Sequence, residues 1–564
     1  MRKWRRYILA GACAAFLIGF LVFPIGLAIR SGFTHEGRVT GFWIGRFFAD
    51  LAAREGLLNA LKVACVTTAG VFLLALPLAV LANQYNFRGK SLASAMLMVP
   101  MILPPFVGAI AMRQLLARGS GSVNLILQAL GMGKVDWLGS GFSGVVILEV
   151  LHLYPIMYLN ASAALANVDP TMVEAARNLG ASRWTTFRRV VLPLIRPGLF
   201  AGGTIVFIWS FTELGTPLMV GYEEVLPVKI FHDLNQLETS AKTFSMVFVM
   251  LSASVAFYGM GKFLFGRGAA ATVGRGVGAT LRRPGLLGTV AIWAVFALVT
   301  LVAVVPHVGV VLMAIAERWT GTILPESYTG RHLREVFTRP ETWNSIVNSF
   351  RYASLATVID IIAGLAIAYL VVRLRVRGRS LLDSLAMLPL AVPGLVIASG
   401  YVALTAPGLL PGWLGKLVEG IGPRHDPTLI LIIAYSIRRL PYVVRSISAG
   451  LQQTSETLEE AARNLGAGPL KSVLRVTVPL ISANVLAGAI LAFSFSMLEV
   501  SDSLILAQTS EFYPITKAIY ILAGPADATN LAAALGTVTM LMLTATLILA
   551  NLLLGKRLGA MFRV

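Results

Sequence analysis

The chain contains one polar heptapeptide twice, first as Glu174-Ala175-Ala176-Arg177-Asn178-Leu179-Gly180 and again, residue for residue, at 460–466. The two copies are 286 positions apart, and the same offset relates Pro193 to Pro479 downstream. Each copy stands between two long apolar segments. Seven identical residues at one fixed offset indicate an internal duplication, so the chain is interpreted as two halves built around these segments.

The composition indicates an integral membrane protein. Of the 564 residues, 56% are hydrophobic and 13% are charged, and the mean hydropathy is +0.76. Soluble domains carry about 25% charged residues, whereas apolar runs of about 20 residues, the length that spans a bilayer core, recur along this chain. Because the alternating pattern of a membrane barrel is absent, the spans are predicted to be helices. The predicted fold class is an all-α polytopic membrane protein.

Twelve transmembrane helices are predicted, six in each half. They lie at 7–29, 57–82, 91–116, 142–165, 194–220, 243–265, 286–315, 344–372, 381–406, 428–451, 480–507 and 530–554. The first half is 1–265, a cytoplasmic linker rich in Gly, Ala and Arg is 266–284, and the second half is 285–564. Since an even number of spans restores the starting orientation, the two repeats are parallel. The repeat extends to Asn59, which matches Asn348 at an offset of 289.

The net charge of +20 would suggest a nucleic-acid partner in a soluble protein. Here the arginines gather in short loops on one side of the spans, which is the pattern of cytoplasmic loops. No nucleic-acid partner is therefore expected, and both termini and both repeated segments are predicted to be cytoplasmic. The basic N-terminus and the apolar run after it are kept as the first span, because the run extends to about Ile29 without a small-residue cleavage pattern.

The repeated segment has the markers of a short surface helix. Asp169 followed by Pro170 is a typical helix start, Ser455 is the capping residue at the twin position, and Gly180 and Gly466 suit the left-handed residue that ends a helix. An ordinary membrane-anchored loop would share these features. The two loops have kept an identical run of residues, whereas the spans next to them have diverged. This favours a docking site for one shared partner.

The spacing Glu-Ala-Ala, three residues, Gly, and nine residues to an aliphatic-x-aliphatic-Pro ending resembles the motif of membrane permeases of binding-protein-dependent ATP-binding cassette importers (type I, MetI-like). Val478 stands where that family usually has leucine. A fused pair of halves is similar to the ferric-iron importer permeases, which the runs 211–217 and 512–517 also resemble. The resemblance implies coupling helices within 169–193 and 455–479, whose coupling residues are Glu174, Ala175, Ala176, Gly180, Pro193, Glu460, Ala461, Ala462, Gly466 and Pro479.

Further expectations follow from this resemblance. The chain would be a permease in the bacterial inner (plasma) membrane and would form the translocation pathway. Its partners would be two copies of an ATP-binding cassette ATPase and a soluble extracytoplasmic substrate-binding protein. The resemblance favours ferric iron as the substrate, with thiamine, a polyamine or a phosphonate as alternatives.

The chain itself is not predicted to be an enzyme. Its nearest approach to a phosphate-binding loop, Gly89-Lys90-Ser91, has Gln84 where the first glycine of that motif is required. ATP and Mg²⁺ would therefore be bound by the partner ATPase, and no cofactor is expected on this chain. The six histidines have no metal-ligand spacing, and the two cysteines, Cys13 and Cys65, lie in apolar spans, so no metal site is predicted.

Charged residues inside the predicted spans are candidates for the translocation path, because a charge at bilayer depth needs an interior position. Glu213 and Glu499 are repeat equivalents placed about midway along the fifth span of their halves; Asp502, Arg438 and Arg439 are the other candidates. An alternative interpretation makes Glu499 a structural ion pair with one of these arginines. Carboxylates suit ferric iron and equally suit an organic cation, so they do not select a substrate.

Two other classes of protein remain open at this point. A twelve-span secondary transporter would also show two parallel halves, but it would give the duplicated segments no role. A membrane enzyme is disfavoured because no cluster of nucleophile, base or metal ligands is present.

Overall fold

The computed structural model describes residues 3–101, 104–235, 240–265, 282–406, 408–410, 412–418, 420–423, 425–525 and 527–554. Most of the predicted linker 266–284 lies outside these ranges. So do the basic residues Lys556, Arg557 and Arg563 near the C-terminus, which contribute to the predicted orientation.

The described chain is almost entirely helical, which confirms the predicted fold class. Up to residue 265 the helices are α1 Lys3–Leu17, α2 Phe23–Gly32, α3 Phe42–Ala49, α4 Leu51–Gln84, α5 Lys90–Met96, α6 Pro105–Leu116, α7 Ser122–Ala129, α8 Phe142–Ala166, α9 Pro170–Asn178, α10 Arg183–Thr186, α11 Leu192–Phe211, α12 Gly215–Val220, α13 Leu226–Asn235 and α14 Ala241–Phe265. Beyond residue 282 they are α15 Leu286–Ile315, α16 Arg331–Thr338, α17 Pro340–Val372, α18 Arg379–Met387, α19 Gly394–Thr405, α20 Gly412–Leu417, α21 Thr428–Gln453, α22 Thr457–Asn464, α23 Pro469–Ser472, α24 Val478–Leu480, α25 Ser482–Met497, α26 Ser501–Leu506, α27 Ile515–Ala523 and α28 Thr529–Leu554.

Shorter elements complete the secondary structure. Two antiparallel hairpins are formed by β1 Thr34–His35 with β2 Arg38–Val39, and by β3 Ala316–Arg318 with β4 Ser327–Tyr328. Single turns of π-helix lie at Ile18–Val22, Phe187–Val191 and Val473–Thr477, and single turns of 3₁₀-helix at Val99–Met101, Leu388–Leu390 and Ser510–Phe512.

The number of membrane spans depends on how broken helices are counted. Among the described residues, eight helical stretches are long and apolar enough to cross a bilayer, and the number rises to eleven if each of three bent pairs is one span. The polytopic prediction is therefore confirmed. The predicted tenth span, 428–451, corresponds to α21, which is outside this set because it carries Arg438, Arg439 and Arg445.

Prolines break the third predicted span of each half. In the second half, the axes of the stretches Arg379–Leu390 and Gly394–Thr405 meet at 101°, with Pro393 between them. Proline lacks the N–H that would continue the helix, and its ring clashes with the carbonyl four residues earlier. The stretches Lys90–Met101 and Pro105–Leu116 form the equivalent bent pair of the first half. Neither bent pair is therefore one straight helix.

The chain folds into two compact units. Unit 1 consists of 1–54, 229–251 and 333–564. Within it, α17, α21 and α25 pack together, α1 packs on α17, and α2 packs on α19. The packing of α2 on α19 is close, since the Tyr401 hydroxyl donates to the Phe20 carbonyl at 2.6 Å and Gly400 lies against the backbone of Pro24.

Unit 2 consists of 55–228 and 252–332. Here α8 packs on α11, and α15 packs on α6. The Trp293 indole N–H of α15 donates to the Arg88 carbonyl at 3.0 Å, and Gly309 lets α15 approach Ala111 of α6. The first helix of each linear half thus belongs to the compact unit that holds most of the other half. The compact units are a different division of the chain from the predicted halves 1–265 and 285–564, which describe the duplicated sequence.

Candidate coupling segments and intramembrane charges

Both copies of the heptapeptide form a short capped helix. Asp169 begins α9 by accepting from the Thr171 backbone N–H at 2.9 Å, and this hydrogen bond holds the pKa of the Asp169 carboxyl below its ordinary value. Ser455 makes the equivalent bond to the Thr457 backbone N–H at 3.2 Å, although α22 begins one residue later than expected, at Thr457.

Both helices end in the same way. Gly180 and Gly466 have φ angles of +81° and +86°, in the left-handed region that glycine enters without strain. The N–H of each glycine donates three residues back at 2.9 Å, and the N–H of the following alanine donates five residues back at 3.0 Å. This pair of bonds is the Schellman motif. The predicted helix ends are confirmed, and the duplicated sequence gives the same local structure twice.

Each coupling segment exposes apolar side chains at repeat-equivalent positions. The exposed pairs, each related by the offset of 286, are Met172 with Leu458, Leu179 with Leu465, and Trp184 with Leu470. The leucines just before the two glycines are 89% and 90% exposed. Because these apolar side chains are exposed at matching positions of both segments, they are candidates for two copies of one interaction surface.

Only the second segment has a buried ionic anchor. The Glu459 carboxylate accepts from the Tyr369 hydroxyl at 2.7 Å, pairs with Arg373 at 3.3 Å and with Arg463 at 3.2 Å. The side chains of Glu459 and Arg373 are 6% and 7% exposed. At the twin position of Glu459 the first segment has Val173, which is half-buried. The ionic network therefore fixes α22 to the end of α17, and among the residues that the structure describes α9 has no equivalent of it.

A second network lies in the predicted spans of unit 1, around Glu499. Arg438 pairs with Glu499 at 2.9 Å and approaches Asp502 at 3.8 Å, and Arg439 donates to the other oxygen of Glu499. The guanidinium of Arg438 lies directly against Gly394, where an added Cβ would fall 1.5 Å from its Nη1 atom. The structure thus contains the ion pair of the alternative interpretation. A place for these four residues on the translocation path stays a prediction.

Glu213 lies in unit 2 and has different neighbours. Its carboxylate accepts from the backbone N–H and the hydroxyl of Thr216, each at 3.2 Å. It stands in the break between α11, which ends at Phe211, and α12, which begins at Gly215. Pro217 stands four residues after Glu213, where a continuous helix would place the proline ring against the Glu213 carbonyl. The predicted fifth span of this half, 194–220, is therefore interrupted at Glu213.

The equivalent break in unit 1 has Ser503, and not a proline, at the position that matches Pro217. Here α25 ends at Met497 and α26 begins at Ser501, with Glu499 between them. The Glu499 carbonyl accepts from the hydroxyls of Ser503 and Thr516, each at 2.6 Å. Side-chain hydroxyls thus satisfy a carbonyl at membrane depth, as irregular backbone in a span requires.

Two further buried acids lie in the predicted spans. Glu149 of α8, which is 1% exposed, accepts from the Thr67 hydroxyl at 3.0 Å and from the Ser210 hydroxyl. Asp360 of α17 accepts from the Ser436 hydroxyl at 2.7 Å. Both acids were visible in the sequence as isolated charges in apolar runs, but no spacing rule indicated their hydroxyl partners. Within the described ranges, no group of three or more His, Cys, Asp or Glu side chains is arranged to hold a metal ion.

The repeat is also visible away from the coupling segments. The Asn59 side-chain amide donates to the Glu224 carbonyl at 3.0 Å, and its twin Asn348 donates to the Glu511 carbonyl at 2.8 Å. Each bond ties the beginning of a long helix to the loop after its own half's broken span. The Asn59–Asn348 match found in the sequence therefore reflects one duplicated contact.

Comparison with known proteins agrees with this duplication. The chain matches the protein family described as "Binding-protein-dependent transport system inner membrane component" twice, over residues 75–322 and 360–559. Each matched range contains one coupling segment, and together they cover more than half of the chain.

Individual relatives are transport proteins. A ferric transport system permease protein of Haemophilus influenzae is 27% identical over 436 residues, which are 75% of this chain and 64% of the relative. The ferric transport system permease protein FbpB of Actinobacillus pleuropneumoniae is 27% identical over 432 residues, which are 75% of this chain and 59% of the relative. The match thus spans about six tenths of the length of these two relatives. The spermidine/putrescine transport system permease protein PotC of Escherichia coli is 28% identical over 267 residues, 44% of this chain and 94% of the relative.

Proposed function

The chain belongs to the family of binding-protein-dependent transport system inner membrane components, and from that premise we propose that it supplies both membrane halves of an ATP-driven importer. In this proposal, one ATPase subunit docks on each coupling segment, and a soluble extracytoplasmic protein delivers the substrate. Both termini and both coupling segments face the cytoplasm. ATP and Mg²⁺ are bound by the ATPase subunits, and this chain performs no covalent chemistry.

The observation that carries the proposal is the duplicated exposed patch. Two helices with the same cap, the same Schellman end and the same exposed apolar positions present one docking surface twice. Two copies of a single partner would use such a pair of surfaces. A secondary transporter, which is driven by ions and has no ATPase, would leave both patches in water.

Movement would reach the spans through the backbone. In the first half, residues Arg183–Phe211 form one continuous helical stretch, so the segment that follows α9 leads directly into a span. In the second half, Pro469–Leu480 and Ser482–Met497 meet at an angle of 78°. Displacement of α9 would therefore move α11, the helix that precedes Glu213. Displacement of α22 would move α25, the helix that precedes Glu499.

The substrate proposed is ferric iron. It is supported by the names of two relatives, which are ferric transport permeases. A polyamine is the second candidate, because the relative from Escherichia coli is a spermidine/putrescine permease. Two uptake experiments separate the candidates. One measures radiolabelled ferric iron with spermidine as competitor, and the other measures radiolabelled spermidine with ferric iron as competitor. Uptake of spermidine that ferric iron leaves unchanged would overturn the iron assignment.

Docking is tested with the complete chain and its ATPase, purified through a tag on the permease. Leu179→Asp with Leu465→Asp is expected to abolish co-purification of the ATPase, because burial of one leucine contributes about 1.5–3 kcal/mol. Since both side chains are almost fully exposed, the permease itself should remain folded. Leu179→Met with Leu465→Met, which keeps the apolar character, is the control. Full ATPase recovery with the aspartate variants would refute the docking surface.

Bulk at the helix ends gives a second test. No atom lies within 4 Å of a Cβ placed on Gly180, so Gly180→Trp adds bulk at an open position of the helix end. Gly131 is also open and has a φ of +75°, and Gly131→Trp therefore imposes similar backbone strain away from the coupling segments. We expect loss of ATPase recovery with Gly180→Trp and retention with Gly131→Trp. Equal recovery with the two variants would contradict the proposal.

A further inference from the structure

An open groove of about 430 Å³ lies in unit 2 between α4, α11 and the last turns of α14. Four phenylalanine side chains dominate its walls, and no acidic residue contributes to them. The lining residues are Thr68, Phe72, Arg196, Leu199, Phe200, Gly203, Thr204, Phe207, Ile208, Phe257, Tyr258, Met260 and Gly261.

The groove lies within the membrane and spans one leaflet. All three of its helices belong to stretches long and apolar enough to cross a bilayer. Along α11 it extends from Arg196 to Ile208, and twelve residues of α-helix rise about 18 Å. A bilayer core is about 30 Å thick, so the groove begins at one surface and ends near the middle. Thr68 lines it with a buried hydroxyl that has no hydrogen-bond partner among the described residues.

One end of the groove is positively charged. Arg196 is exposed on the first turns of α11, and within the described ranges no carboxylate pairs with it. Arg188 and Arg189 precede it in the coupling segment and are also exposed. This positively charged end is not duplicated, because the repeat equivalent of Arg196 is Ser482. A ligand that matches this groove has a long apolar chain and a negative group at the end near the coupling segment.

We propose that the groove binds one anionic phospholipid from the leaflet on the side of the coupling segments. Its phosphate pairs with Arg196, and one acyl chain lies along the phenylalanines toward Thr68 and Ile208. A free phosphate would leave the apolar walls unused, and a zwitterionic headgroup brings its own cation against Arg196. The assignment of this leaflet as cytoplasmic rests on the proposed function. The lipid places negative charge directly beside the end of the first coupling segment, and the second segment has no such neighbour.

The test uses the full chain in vesicles that contain equal amounts of phosphatidylglycerol and phosphatidylcholine, one of them carrying a diazirine in its acyl chain. After irradiation, labelled peptides are identified by mass spectrometry. The wild-type protein should be labelled in 196–208 and 257–261, about fivefold more by phosphatidylglycerol than by phosphatidylcholine, as one basic side chain near an anionic surface predicts. Arg196→Gln should equalise the two lipids. The control Arg475→Gln, which changes the twin of Arg189, should keep the preference.

A second variant pair tests the apolar part of the groove. Thr204→Trp fills the groove and should remove labelling by both lipids, whereas Ile205→Trp, on the same helix outside the lining, should not. Equal labelling of wild type by the two lipids, or unchanged labelling of Thr204→Trp, would overturn the assignment. If Thr204→Trp does not fold, the comparison of Arg196→Gln with Arg475→Gln decides. Recovery of the ATPase is measured on the same protein preparations. If wild type shows no lipid preference but still binds the ATPase, the lipid site is refuted and the proposed docking is not.

Discussion

Glu459 is predicted to hold the second coupling helix in place. Its carboxylate has three partners, the Tyr369 hydroxyl, Arg373 and Arg463, at distances between 2.7 and 3.3 Å. Glu459→Gln keeps the shape but removes the charge, which leaves the buried Arg373 with only the half-exposed Glu456, at 3.5 Å, as a carboxylate partner among the described residues. Removal of one member of a buried ion pair costs about 3–5 kcal/mol. Since the pair joins α22 to α17, we expect the loss to appear as local opening of α22.

Hydrogen exchange measured on the full chain tests this prediction. A loss of about 3 kcal/mol corresponds to about a 150-fold decrease in protection of the α22 amides. Residues 170–178 of α9 provide an internal reference, because Val173 replaces the glutamate there. Glu460→Gln is the matched control, since its exposed side chain takes no part in the network. Equal protection of α22 in Glu459→Gln and Glu460→Gln would refute the anchoring role.

Three further predictions concern single sites. Gly394→Ala should displace the Arg438 guanidinium and lower thermal stability, because the new Cβ would fall 1.5 Å from Nη1; an unchanged melting temperature would contradict this contact. Glu499→Gln should destabilise the protein by about 3 kcal/mol, since two arginines lose their partner, whereas Glu213→Gln should impair uptake more than stability; equal melting temperatures for the two variants would show that the ion pair contributes little. Burial lowers the pKa of Lys517 to about 8, so between about pH 8 and pH 10 the unfolded state binds the additional proton and stability rises with pH. The melting temperature of wild type should therefore rise relative to that of Lys517→Met between about pH 7.5 and pH 9.5, by the equivalent of about 2 kcal/mol, and parallel pH profiles would rule out a buried charged lysine.

Local sequence rules predicted the coupling segments well because their structure is local. The cap at Asp169 and the helix ends at Gly180 and Gly466 depend on residues within one turn. The exposure of Leu179 depends on more than local sequence. Apolar spacing indicates a shared face, but it does not show whether that face meets the protein or water.

Features that depend on packing between distant segments could not be predicted from the sequence. Gly394 was unremarkable until the structure placed the Arg438 guanidinium against it, 44 positions away along the chain. The position of α1 and α2 in unit 1 likewise follows from contacts with α17 and α19, which no periodicity encodes. The break at Glu213 did carry a signal, since Pro217 four residues later disfavours a continuous helix.

The central claim is that ATP hydrolysis by docked subunits drives this permease. Its most direct test is substrate uptake into proteoliposomes that contain the complete chain, the ATPase and the binding protein, with ATP supplied on the side of the coupling segments. We expect uptake to require ATP and to disappear in the double variant Leu179→Asp with Leu465→Asp. Uptake that persists without ATP and follows a proton or sodium gradient would contradict it.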